Sequence, residues 1–236
     1  MENTRQAVPV TREDFQTREK AFFYQVYNWM AAGLALTGGI AYLVSNSPAA
    51  LSIIFGNQLV FFGLIIGELA LVWSLASRID KIEPQTASSL FFLYAGINGL
   101  TMAAIFIMYT TASIASTFFI CGATFAATSM YGASTKRDLT GIGNFMFMGL
   151  IGIIIASVVN MFLRNPMIYW LISYIGVAVF VGLTAYDTQK IKAMARNNNF
   201  SAQENSKMVV MAALTLYLDF INLFIFLLQI MGNARD

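Results

Sequence analysis

Histidine is absent from the chain, and cysteine occurs once, as Cys121. Without histidine there is no imidazole zinc site, no histidine general base and no haem ligation by histidine. One thiol allows neither a disulfide within the chain nor a thiolate metal cluster. Charge is also scarce: charged residues are 11% of the 236, where a soluble domain carries about 25%. The formal net charge of +2 gives no strong field to attract polyanions, so nucleic acid is not an expected partner. The polar opening stretch MENTRQAVPVTREDFQTREK lacks the apolar run and small-residue cleavage site of a secretory signal. The first apolar segment is therefore expected to act as an uncleaved insertion signal.

What the chain has in abundance is apolar surface. Apolar residues make up 58% and mean hydropathy is +0.66. This excludes a disordered chain and an ordinary cytosolic enzyme, and points to a protein mostly within a bilayer. A spanning helix needs about 20 mostly apolar residues. Seven segments qualify: Val26–Val44, Gln58–Ala76, Ser88–Tyr109, Ser113–Tyr131, Asn144–Leu163, Met167–Lys190 and Met208–Ile230. Gly38-Gly39 and Gly67-Glu68 weaken the hydropathy of the first two. The third and fourth are joined by a tight TTAS turn and should form an antiparallel hairpin. All four prolines (Pro9, Pro48, Pro84, Pro166) fall in the tail or between segments, where helices stop. Tyr24, Tyr27, Trp29, Tyr42, Tyr109, Tyr131, Tyr169 and Trp170 lie near segment ends, as an interfacial aromatic belt requires.

The expected organisation is a cytoplasmic tail over residues 1–24, an all-α polytopic domain of seven transmembrane helices over 25–232, and a short tail over 233–236. Orientation follows from the basic residues. Twelve lie on the side of the N-terminus and two, Arg164 and Arg235, on the other, so the N-terminus is expected in the cytoplasm and the C-terminus outside.

Sorting the acidic residues locates the chemistry. Nine lie in tails or loops, and Glu68, Asp187 and Asp219 lie within apolar segments. An acid at a helix centre costs about 2.5–3.5 kcal/mol on insertion scales, so such groups face a bundle interior or a water cavity. Asp219, in LTLYLDFINLFIFLL, is roughly 16 Å along the last segment. Thr215, Asp219 and Asn222 form one polar stripe by their i, i+4, i+7 spacing. A plain helix-packing hydrogen bond is the simpler reading, but a neutral asparagine would serve it at lower cost. Asp187, in FVGLTAYDTQKIK, lies near the cytoplasmic end of the sixth segment, where an i+3 ion pair with Lys190 is the simpler reading. Glu68 follows Gly63-x-x-x-Gly67, a spacing that lets helices approach closely. Arg78, roughly 15 Å further along that helix, is expected to close the cytoplasmic end by pairing with an acid. Asp187 and Asp219 lie on consecutive antiparallel segments and can meet. Two carboxylates in contact there cannot both ionise cheaply and are expected to share a proton.

At GLTAYDTQKIK (182–192), ALTLYLDFINLF (213–224), YGASTKRDLTGIGNFMFMGLIG (131–152) and YTTASIASTF (109–118) the chain resembles the Bax inhibitor family of multi-pass membrane proteins, bacterial branch. The resemblance runs from about Tyr24 to Gly232. It implies seven helices with the last one central between two three-helix layers. It also implies that Asp187 and Asp219 form a pH-sensing pair, that Glu68 lines the ion path, and that Arg78 acts at its gate. The implied activity is a pH-sensitive calcium leak in the cell inner membrane, and family members are also linked to suppression of cell death.

Calcium takes six to eight oxygen ligands. Asp187, Asp219 and Glu68, helped by Asn222, Asn98, Thr215, carbonyls and water, are expected to offer it a weak, transient site. Calcium is then the permeant ion, and no tightly bound cofactor is expected. The expected partners are the lipid bilayer, Ca²⁺ and H⁺. Buried acids also suit a proton-coupled transporter, and the polar tail also suits a regulatory protein bound to a membrane protease or other membrane complex. An intramembrane aspartyl protease of the presenilin type is the enzymatic alternative. Asp219 lies in LYLD rather than GxGD and no PAL motif follows, so no enzyme activity is expected.

Overall fold

The computed structural model describes residues 12–196 and 201–235. Arg5 and the rest of residues 1–11, residues 197–200 and Asp236 lie outside the described residues. Eight helices account for nearly all of the described chain: α1 (Arg12–Ser45), α2 (Pro48–Phe55), α3 (Gln58–Arg78), α4 (Pro84–Met108), α5 (Thr111–Ser134), α6 (Thr140–Leu163), α7 (Pro166–Arg196) and α8 (Ala202–Met231). The protein is an all-α polytopic membrane protein. Helices α3 to α8 are each long and apolar enough to cross a membrane among the described residues. Helices α1 and α2 meet the same measure only together, as a pair bent by 102°. Of the seven expected spans, the first, Val26–Val44, lies within α1 and the other six correspond to α3 through α8.

Local sequence explains the breaks. Pro48, Pro84 and Pro166 each occupy the first turn of a helix, where the missing N–H is not needed. Ser47, Asn57, Thr110 and Ser201 cap α2, α3, α5 and α8 through their side chains. Ser201 and Glu204 complete a reciprocal capping box. In the short link before α6, Asp138 Oδ1 accepts from Thr140 N at 2.9 Å and Thr140 Oγ1 at 2.6 Å. These bonds hold its carboxyl below the usual carboxylate range.

The last helix is the core. Two thirds (67%) of the most apolar stretch of α8 is buried, against 6% for α3 and for α6. Around it stand two layers of three. One consists of α1, α3 and α4, with α4 between the others, and the second of α5, α6 and α7, with α7 between the others. The α4–α5 turn is as tight as expected, but the two helices touch each other little and pack instead on α8. The second layer is drawn together by glycine. A Cβ on Gly132 would lie 2.2 Å from the carbonyl oxygen of Ala185, and one on Gly143 would lie 2.3 Å from the ring of Tyr186. The Gly63-x-x-x-Gly67 spacing has no such role, because a Cβ on either residue would meet nothing within 4 Å.

Both ends of the bundle are tied. At the basic end, Glu19 of α1 pairs with Arg196 at 2.8 Å and Lys192 at 3.8 Å on α7. Gln189 of α7 accepts from Leu139 N at 2.9 Å and donates to the Arg137 carbonyl at 2.8 Å. At the other end, residues after α8 pair with the α4–α5 turn: Thr110 N donates to Asn233 O at 3.1 Å and Arg235 N to Met108 O at 2.9 Å.

Candidate functional site

One cavity of about 1180 Å³ opens among α3, α4, α6, α7 and α8. Its lining includes Glu68, Asp187, Asp219, Thr215 and Asn222, and also Lys190, Asn144, Tyr94 and Tyr186. Helix α3 and the consecutive helices α7 and α8 therefore bring together all three acids that the sequence places in apolar segments. Helices α7 and α8 pack closely, and Asp187 and Asp219 line the same cavity.

Asp219 is 4% exposed, and its Oδ2 is buried without a hydrogen-bond partner. Its neighbours on the stripe bond locally. Thr215 Oγ1 donates to Met211 O at 3.1 Å, and Asn222 Nδ2 donates to Leu218 O at 2.8 Å. The carbonyl end of Asn222 thus remains an acceptor for whatever enters. Asp187 and Lys190 both line the cavity, but no ion pair joins them among the described residues.

Glu68 is held differently. Thr101 Oγ1 donates to its Oε1 at 2.8 Å and Asn98 Nδ2 to its Oε2 at 3.4 Å, so α4 draws it aside. Behind it runs a chain of buried polar groups. Tyr217 OH donates to Asn98 Oδ1 at 2.9 Å and lies 2.6 Å from Thr37 Oγ1, which in turn lies 2.8 Å from the Ala95 carbonyl. This network joins α3, α4, α8 and α1. Sequence reading took Asn98 as a ligand oxygen and missed Thr37, Thr101 and Tyr217. Each offers a hydroxyl within an apolar stretch, with nothing in the sequence to pair them. A second buried string, Tyr27 to Ser129 to Thr188, joins α1, α5 and α7 away from the cavity.

Two expected arrangements are not seen among the described residues. Arg78 is exposed on the last turn of α3, does not line the cavity and forms no ion pair among the described residues. Ten residues turn a helix through roughly 1000°, which points Arg78 about 80° away from Glu68. The second concerns calcium. No group of three or more acidic, cysteine or histidine side chains converges to hold a metal ion among the described residues. Glu68 is turned toward α4, so the three carboxylates share a cavity without forming one ligand cluster.

The family sequence model described as "Inhibitor of apoptosis-promoting Bax1" matches residues 19–236. The chain belongs to the Bax inhibitor family. Among its relatives is the inner membrane protein YbhL of Escherichia coli (strain K12), 50% identical over 217 residues that cover 92% of this chain and 93% of YbhL. A Rickettsia prowazekii protein, RP147, is 44% identical over 222 residues, covering 92% and 91%. A Borreliella burgdorferi protein is 42% identical over 215 residues, covering 91% and 93%. The family match spans α1 from Glu19 onward and every later helix, so the cavity lies wholly within the family domain.

Proposed function

We propose that the protein is a pH-sensitive calcium leak of the bacterial inner membrane, with calcium as cargo rather than as a resident ion. The observation that carries this reading is a buried, unpartnered Asp219 Oδ2 in the same cavity as Asp187 and Glu68. Conduction needs sites that bind weakly enough to let the ion leave. A cavity that presents carboxylate, amide and hydroxyl oxygens without a closed three-carboxylate cluster suits that need. Two carboxylates within reach of one another in a dry site do not both ionise cheaply, so Asp187 and Asp219 share a proton. Loss or gain of that proton changes the attraction between α7 and α8, which is the gating step. No residue is assigned a catalytic role.

The location in the inner membrane is supported by the name of the E. coli relative. With seven spans, the excess of lysine and arginine at the end that bears the N-terminus puts that terminus in the cytoplasm and the C-terminus outside. The test is calcium entry into liposomes at several pH values, wild type beside Asp219→Asn. The wild type should pass calcium at a rate that varies with pH, and the variant should lose that variation. A wild type with no pH-dependent calcium flux overturns the proposal.

A further inference from the structure

The same cavity has a second property, in its walls. Its floor is the buried face of α8, and its rim is made of side chains that face outward into the lipid: Ile66, Leu69 and Trp73 of α3, and Phe147 and Ile154 of α6. Helix α3 leans on α4, and α6 leans on α7, so the space between α3 and α6 is a cleft open to the bilayer. An ion path needs no such lateral opening. At about 1180 Å³ it is at or above the size of sites that hold small organic ligands.

The charges within the cleft select the ligand. Lys190 lines the same cavity as Asp187. Glu68 is satisfied by Thr101 and Asn98. Asp219 has a carboxylate oxygen that nothing bonds, in a side chain 96% buried and facing the cavity. An unpaired buried carboxylate calls for a donor or a cation. The aromatic rings of Trp73, Tyr94, Phe147 and Tyr186 line the same space, and such faces attract ammonium groups. Apolar walls open to lipid, an aromatic lining and one buried carboxyl oxygen without a partner together describe a site for a molecule with an alkyl chain and a protonated amine, whose charge favours the ionised form of Asp219 when it binds.

We propose that the cleft between α3 and α6 binds a lipophilic amine that enters from the bilayer, with its ammonium group donating to Asp219 and its alkyl chain lying along Trp73 and Phe147. The proposal stands on the cleft and not on calcium conduction, and it holds or falls whether or not calcium passes. Bound there, the amine occupies the oxygen that the leak is proposed to use.

The test uses tryptophan fluorescence. Trp29→Phe and Trp170→Phe leave Trp73 as the single reporter. The full chain is placed in phosphatidylcholine nanodiscs without calcium and titrated with 12-bromododecylamine or its neutral counterpart 12-bromododecanol, whose bromine quenches indole on contact. The amine should quench saturably, with half-effect at about tenfold lower concentration than the alcohol, and Asp219→Asn should remove that difference. Unbrominated dodecylamine should restore the fluorescence of the Asp219-bearing protein and dodecanol should not, a readout that needs no substitution at Asp219. Equal behaviour of amine and alcohol assigns the cleft to alkyl chains in general and overturns the proposal, as does quenching that never saturates.

Discussion

Tyr217 of α8 donates a hydrogen bond to Asn98 Oδ1 of α4 at 2.9 Å, and Asn98 uses its amide to hold Glu68. The central helix thereby reaches the cavity acid carried by α3. Tyr217 is two residues from Asp219, so a shift of α8 that moves Asp219 also pulls on the partner of Glu68. Tyr217→Phe keeps the ring, which packs edge-on to Phe91 and Tyr94, and removes only the hydroxyl. It should cost about 1 kcal/mol, since hydrogen bonds within membrane bundles average about 0.6 kcal/mol and an abandoned buried acceptor costs about 1–3 kcal/mol. In a double-mutant cycle with Asn98→Leu, followed by equilibrium unfolding in mixed micelles, the two losses should fall short of additivity. Strict additivity would remove the coupling.

Glycine at the α5–α7 and α6–α7 contacts gives a sharper contrast. Gly132→Ala forces a methyl group against the backbone carbonyl of Ala185, and Gly143→Ala forces one against the Tyr186 ring. Overpacking of this kind costs about 1–3 kcal/mol. Gly132→Ala should be the worse of the two, because backbone yields less than a side chain. Gly63→Ala and Gly67→Ala meet open space and should raise stability slightly through helix propensity, by up to about 1 kcal/mol each. Thermal unfolding of the four variants side by side checks the ranking. Equal losses at all four positions would contradict it.

The difference between those pairs shows what sequence can and cannot carry. Hydropathy locates a helix, so the α3 to α8 spans were legible. It does not say how a helix is rotated, so a small-residue spacing on α3 looked like a contact and Arg78 looked like a partner for an acid. Asp219 was legible because one carboxylate in an apolar run is costly wherever the helix turns. Its place on a central helix was readable only through family resemblance, since α8 is no more apolar than α3 or α6. The partners of Glu68 were not legible: Asn98, Thr101, Tyr217 and Thr37 come together from elements up to 180 residues apart. Helix α2 was missed because PAALSIIF is shorter than any span and reads as an apolar connection.

Orientation can be checked with the one native thiol removed. In a Cys121→Ala background, Lys136→Cys lies in the link between α5 and α6, and Asn165→Cys in the link between α6 and α7. The excess of basic residues predicts that a membrane-impermeant maleimide added to spheroplasts labels position 165 and spares position 136 until the membrane is opened. The reverse pattern would invert the assigned topology and place Asp187 nearer the outer surface.

Asp219→Asn separates a structural role from a functional one. A carboxylate kept for packing would be hydrogen-bonded, and its replacement by an amide would weaken the bundle. The Oδ2 of Asp219 has no partner, so the native side chain leaves an acceptor unsatisfied, a defect of about 1–3 kcal/mol. Replacing it with a neutral amide removes the option of burying a charge there. Asp219→Asn should therefore unfold at the same or a higher temperature than the wild type while losing the pH dependence of its calcium flux. That combination marks a group retained at a cost to stability. A variant that is less stable and still responds to pH would return Asp219 to the role of a helix-packing residue.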